Sequence, residues 1–205
     1  GDLVFLKLGR GISLGFVWGG SIWRGAGGGA GTIGHIPVGA FAAEDTRRLC
    51  PCGRDDCLEA CFGAEALFER VRERGADLGD FADDVLAAAK AGHTQAVEVF
   101  REAGRVIGNA VAIACDVINP SVLVLGGSLS SVEPLTNALK AAVFERVSIL
   151  SSRRLRVEPS VAGAKAGISG ASALILDHVL SPGRIDSLLQ NGANGREPTT
   201  VTPAG

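Results

Sequence analysis

Three of the five cysteines fall within eight residues, in the string Cys50-Pro51-Cys52-Gly53-Arg54-Asp55-Asp56-Cys57. The chain opens without the basic start and small-residue cleavage site of a signal peptide, so these thiols are expected to stay reduced. Clustered reduced thiols favour a metal. Zinc takes four soft or borderline donors at tetrahedral corners, which leaves three thiolates one donor short. Of the three histidines His35 is the nearest in sequence, whereas His93 and His178 fall on expected helices far along the chain. The expected ligand set is therefore His35, Cys50, Cys52 and Cys57. One imidazole and three thiolates leave no open position for water, so the Zn2+ would be structural and would pin a loop. The competing reading is of ordinary buried cysteines or a labile disulfide. It would hold for any one Cys, and although the pattern is not the paired CxxC of zinc ribbons, three at this spacing among glycines weigh against it. Cys61, one helical turn beyond Cys57, reads as a helix-face residue, and Cys115, within a long apolar helix, reads as core.

Two glycine turns are further candidates. Gly9-Arg10-Gly11 and Gly126-Gly127 each follow an apolar run of β type. Bare backbone at such turns suits a phosphate, but a hairpin turn accounts for the first about as often, and neither pair alone carries a function. Glu59 by itself reads as a solvated carboxylate in a first helical turn, where the helix dipole favours it.

Positioning these residues requires elements, and the apolar pattern supplies them. Residues 3–8 and 12–18 read as two strands of a hairpin around the Gly9-Arg10-Gly11 turn. A glycine-rich loop spans 19–34, a short strand is expected over 33–38, and 42–56 is a polar loop whose order must come from something other than packing. From Leu58 the pattern turns helical, with helices over 64–74, 81–91 and 94–116, where apolar residues recur at three and four. Asn119-Pro120 stops the last of these, and 121–125 is a β-branched apolar run with the look of a buried parallel strand. A helix over 135–147, a strand over 155–159 and a helix over 164–179 complete an α/β order. Beyond Pro182 the composition turns to Gly, Asn, Ser, Thr and Pro, so one domain over 1–180 and a flexible tail over 181–205 are expected, with a short turn at 185–189.

Composition narrows the partners. At 205 residues and 46% hydrophobic, the chain can bury one sizeable core. Lys plus Arg number 20 against 22 Asp plus Glu, which gives no general attraction to nucleic acid or to an anionic membrane surface. No apolar run approaches the roughly 20 residues of a membrane span, and a soluble, cytoplasmic protein is expected. The chain contains no Met, so it is expected to be a processed product or a piece of something longer.

Read together, three strings resemble the ROK family, named for repressors, open reading frames and kinases. They are Gly9-Arg10-Gly11-Ile12-Ser13-Leu14-Gly15, then Gly25-Ala26-Gly27-Gly28-Gly29-Ala30-Gly31-Thr32-Ile33-Gly34-His35, then the cysteine string running on into Leu58-Glu59. The family contains bacterial sugar kinases and sugar-responsive transcriptional regulators. The resemblance implies an α/β, actin-like/hexokinase-like (ribonuclease H-like) ATPase-superfamily lobe with a zinc-bound loop, and residues 1–179 look like the second lobe only. It implies His35, Cys50, Cys52 and Cys57 as zinc ligands and His35 and Glu59 as sugar contacts. It also implies Gly9 and Gly11, with Gly126 and Gly127, as turns beside a nucleotide. Two positions depart from the pattern. Thr32 stands where sugar-binding members usually have Glu, and a hydroxyl cannot accept two sugar hydrogen bonds as a carboxylate can. Arg10 stands where kinases have a small hydroxyl residue.

These departures favour a binding module over an enzyme. The expectation is the effector-sensing part of a sugar-responsive repressor, forming a homodimer or higher homo-oligomer and touching DNA only through a segment upstream of this chain. The alternative is the second lobe of an ATP-dependent sugar kinase acting on a hexose or amino sugar. A third reading is a zinc-stabilised module that binds neither sugar nor nucleotide.

Overall fold

Period-two burial organises the first two strands, because successive side chains in a strand point to opposite faces. β1 (Leu3–Leu8) and β2 (Ile12–Trp18) pair antiparallel with Leu8 opposite Ile12. Val4, Leu6, Leu8, Ile12, Leu14 and Phe16 are buried. The computed structural model describes residues 2–39, 41–43, 47–75 and 82–193. It contains a five-stranded sheet of order β3-β2-β1-β4-β5, with β3 (Ser21–Trp23) on one edge and β4 (Val122–Gly126) and β5 (Arg156–Pro159) on the other side of β1. β1, β4 and β5 run parallel, and Lys7 pairs with Gly126. The ends of β1 and β4 that carry the two glycine turns therefore lie side by side.

The chain divides into two units, Gly1–Val161 and Ala162–Gly205. In the first, α1 (Leu58–Phe62), α2 (Ala64–Glu73), α3 (Ala82–Lys90), α4 (Thr94–Ile118), α5 (Glu133–Arg146) and α6 (Ile149–Ser152) accompany the sheet. Apolar residues of α1, α2, α4 and α5 join the inward strand residues in one hydrophobic cluster. α4 and α5 pack with backbones close together: a Cβ added at Gly104 would lie 2.2 Å from the Leu135 carbonyl oxygen, and one at Gly108 would lie 2.6 Å from that of Leu139. α4 stops where Asn119 takes a left-handed conformation (φ 52°) with its N–H on the Cys115 carbonyl, just before Pro120. The second unit holds α7 (Ala166–Val179) and α8 (Pro182–Ala193).

The α/β order and the hairpin agree with the sequence expectation, and three local readings change. The expected strand over 33–38 is a single 3-10 turn, Ile33–His35, and only Pro37 forms a β-bridge, to Cys57. β3 arises inside the stretch expected as loop. Where a short turn at 185–189 was expected, helix α8 runs over Pro182–Ala193, and residues 194–205 lie outside the described residues, as does Phe81 at the expected start of α3. Among the described residues, no helix is long and apolar enough to cross a membrane.

Candidate metal centre

Backbone stitching brings the histidine to the cysteines. Leu14 N–H donates to the Gly31 carbonyl at 2.8 Å, which fastens the glycine-rich segment to β2. Gly31 has φ +91°, and a Cβ there would lie 2.0 Å from the Leu14 carbonyl oxygen, so only glycine fits. The following turn sets His35 beside the cysteine loop. Leu58 N–H donates to the Ile36 carbonyl at 3.0 Å and Val38 N–H to that of Asp56 at 2.9 Å. Within the loop, Gly53 N–H closes on the Cys50 carbonyl at 2.9 Å, with Gly53 at φ +92°. This tight turn carries the thiols of Cys50 and Cys52. Arg48 ties the loop to α2 through Glu69 at 3.6 Å and Glu73 at 3.2 Å.

The four expected ligands converge. His35, Cys50, Cys52 and Cys57 each offer one donor atom, and these atoms lie within 4.8 Å of one another. Cys50 Sγ is 3.4 Å from His35 Nδ1, and Cys52 Sγ is 3.4 Å from Cys57 Sγ. Corners of a tetrahedral zinc site with metal–ligand bonds of about 2.0–2.3 Å are about 3.3–3.8 Å apart; the two 3.4 Å separations match those edges, and a limit of 4.8 Å on the others leaves at most about 1 Å of closure for one ion. The donor set is soft, as zinc requires. Cys50 and Cys57 are buried and Cys52 is exposed. The Arg54 backbone N–H and guanidinium hold the Cys52 thiol down to about 6, whereas burial, reinforced by the neighbouring thiols, pushes Cys57 up to about 12. Cys61 is buried on α1 outside the group and Cys115 is buried on α4, its thiol pushed up to about 12 by burial. His93 is the N-cap residue of α4 and His178 lies on α7.

The remaining candidates lie on the segments leading to and from this centre and at the ends of β1 and β4. Glu59, two residues after Cys57, accepts the Ile12 N–H at Oε2, 2.9 Å away. It reaches the segment that carries His35, since a Cβ on Gly34 would lie 3.0 Å from that same Oε2. The Thr32 hydroxyl donates to the Gly29 carbonyl. At the neighbouring strand ends, a Cβ on Gly127 (φ +94°) would lie 2.2 Å from the Leu8 carbonyl oxygen, and one on Gly9 would lie 3.3 Å from Ser128 Oγ. The glycine pairs 9 and 11 and 126 and 127 thus flank one edge, the edge at which open α/β sheets bind ligands. Arg10, at the tip of its turn, pairs with Glu65 at 2.9 Å. Sequence reasoning passed over Arg54 and the Glu59–Ile12 bond. A basic residue between two ligand cysteines was a signal for the first, and nothing local signals the second.

Comparison with known proteins follows the same lines. A family model described as ROK family matches residues 1–178. The N-acetylglucosamine repressor of Escherichia coli O157:H7 is 29% identical over 199 residues, which cover 93% of this chain and 48% of that protein. The chain thus spans about half the length of the curated relatives it matches. A crystal structure of a ROK family transcriptional regulator, a homologue of the E. coli MLC protein, superposes with TM-score 0.68 at 25% identity, over 77% of this chain and 41% of that one. A ROK family glucokinase from Streptomyces griseus, solved with glucose and AMPPNP, superposes with TM-score 0.70 at 26% identity, over 84% of this chain and 60% of that one.

Proposed function

The chain belongs to the ROK family, and on that premise we propose that it is the effector-sensing part of a sugar-responsive transcriptional repressor. The observation that carries this reading is the convergence of His35, Cys50, Cys52 and Cys57 within 4.8 Å, with the Glu59 carboxylate against Gly34, the residue before His35. Zn2+ at that point supplies a rigid corner with no free coordination position. His35 turns Nδ1 toward Cys50, which leaves Nε2 on the far side of the ring as a hydrogen-bonding group for a sugar hydroxyl. Glu59 offers the matching carboxylate acceptor. Thr32 contributes less than a carboxylate would, because its single hydroxyl oxygen cannot accept two sugar hydrogen bonds and its proton is donated to Gly29.

Arg10 favours the regulator over the kinase. Where the resemblance implies a small hydroxyl residue in kinases, this turn carries a guanidinium whose charge is paired with Glu65. The repressor relative supports the same choice. With 20 basic against 22 acidic residues, these 205 residues have no charge footprint for DNA, so the reading assigns DNA contact to another part of the full-length protein, acting as a homodimer or higher homo-oligomer. Sugar held by this part and another lobe would change the lobe angle and so the spacing of the DNA-binding segments.

A second reading, the second lobe of an ATP-dependent sugar kinase, draws support from the two glycine turns at adjacent parallel strand ends and from the likeness to the glucokinase. Calorimetric titration of the full-length protein with N-acetylglucosamine, glucose and xylose tests the shared sugar claim. Heat with at least one of them is expected, and silence with all three overturns it. ADP release from ATP in the presence of the binding sugar would replace the regulator by the kinase.

A further inference from the structure

Glu59 has a second bond that sugar recognition alone does not call for. Its Oε2 accepts the Ile12 N–H at 2.9 Å across 47 positions of sequence. The same oxygen lies in a slot between two glycines, 3.0 Å from where a Cβ would stand on Gly11 and 3.0 Å from where one would stand on Gly34. Any side chain at either position would crowd the carboxylate. The other end of the turn is fastened as well: Ala64 N–H donates to the Gly9 carbonyl at 3.0 Å, and Gly63 packs so closely that a Cβ there would lie 2.8 Å from the Arg10 carbonyl oxygen. The turn between β1 and β2 is thus clamped to the α1–α2 junction, with Glu59 holding a backbone amide of the hairpin and the exposed Arg10–Glu65 ion pair as a second side-chain tie among the described residues. Its Oε1 has no hydrogen-bond partner among them.

We propose that Glu59 divides its carboxylate between two tasks, with Oε2 latching the Gly9-Arg10-Gly11 turn at Ile12 and Oε1 receiving a sugar hydroxyl. The ligand half rests on the sugar reading above. A hydrogen bond at Oε1 restricts rotation of the carboxylate and so steadies the bond at Oε2. Occupancy at one oxygen is thereby transmitted to the turn held by the other oxygen of the same carboxylate. Glu59 acts on that turn as a positioning residue, through its hold on one backbone amide.

Hydrogen exchange of the full-length protein, read in peptides covering residues 9–14, separates the two halves. Without sugar, Glu59→Ala is expected to speed exchange there by at least about tenfold, the loss expected for one hydrogen bond to a charged group. Glu59→Gln keeps a carbonyl acceptor for Ile12 and stays within about threefold of wild type. Glu59→Asp, too short to reach Ile12, serves in place of Glu59→Ala if the latter does not fold. Saturating N-acetylglucosamine or glucose, whichever binds in calorimetry, slows exchange in the wild-type turn, and Glu59→Gln binds it about ten- to a hundredfold more weakly. Unchanged exchange in folded Glu59→Ala or Glu59→Asp overturns the latch. A sugar that binds wild type without altering the turn overturns the transmission. If no sugar binds wild type, the sugar reading and the ligand half fall together, and the sugar-free variants still decide the latch.

Discussion

Cys52 and Cys57 stand 3.4 Å apart in opposed surroundings, one an exposed thiol held down by Arg54 and the other a buried thiol pushed up by its setting. Gathering three sulfurs around one imidazole is electrostatically unfavourable once the sulfurs ionise, and a divalent cation removes the conflict. Replacing Cys52 by Ser is therefore expected to lower bound zinc to a small fraction of one per chain and to lower the melting temperature by several degrees, at about 2–4 °C per kcal/mol for a chain of this size. Cys115→Ser makes the contrasting control, because it disturbs the core of α4 and should lower the melting temperature with zinc retained. Both values follow from metal analysis and a thermal melt. The cysteine string was legible in the sequence because its ligands are local, and His35 because it is the nearest donor. The bond from Ile12 to Glu59 was not, since residues 47 apart in sequence meet only after the hairpin and α1 have docked.

At the scale of elements, the contact between α4 and α5 sets the sharpest expectation. A Cβ at Gly104 would stand 2.2 Å from the Leu135 carbonyl oxygen, so Gly104→Ala must push two long helices apart, at a cost of about 1–3 kcal/mol or more in denaturant unfolding. Gly167 on α7 has nothing within 4 Å of an added Cβ, and there the same change should gain up to about 1 kcal/mol through helix propensity. Asp116, on α4, receives the Ser148 N–H at 3.0 Å, and the Ser151 hydroxyl together with that N–H holds its carboxyl below the usual range. A lowered folded-state pKa means stability that is present above the ordinary carboxylate value and is lost as pH falls through the lowered one. Asp116→Asn should thus cost a little stability at pH 7, with the difference from wild type vanishing in strong acid. Long periodic elements such as α4 were legible. β3 is three exposed residues with no alternation to read, and residues 33–38 mix apolar side chains with backbone bonds to Asp56 and Leu58 that no local pattern encodes.

At the scale of the whole molecule, the ROK assignment rests on a family match over residues 1–178, and the proposed metal would join the parts of the proposed site. His35 belongs to the proposed metal site and to the proposed sugar site, so the two are thermodynamically linked and ligand affinity should depend on the metal. Stripping zinc from the full-length protein with a chelator is expected to weaken binding of the responsive sugar by at least about tenfold, and adding zinc back should restore it, as read by calorimetry. The α/β order was legible from the strand and helix periods, whereas the actin-like/hexokinase-like fold class came from the resemblance to the ROK family. The edge shared by the two glycine turns was not, because it exists only once β1 and β4 have paired in parallel. The proposed sensing mechanism depends on one ion held by His35, Cys50, Cys52 and Cys57. Elemental analysis of protein purified without chelator tests that claim most directly: the predicted result is one zinc per chain, and a metal content no higher than that of a Cys50, Cys52 and Cys57 triple-Ser variant would contradict it.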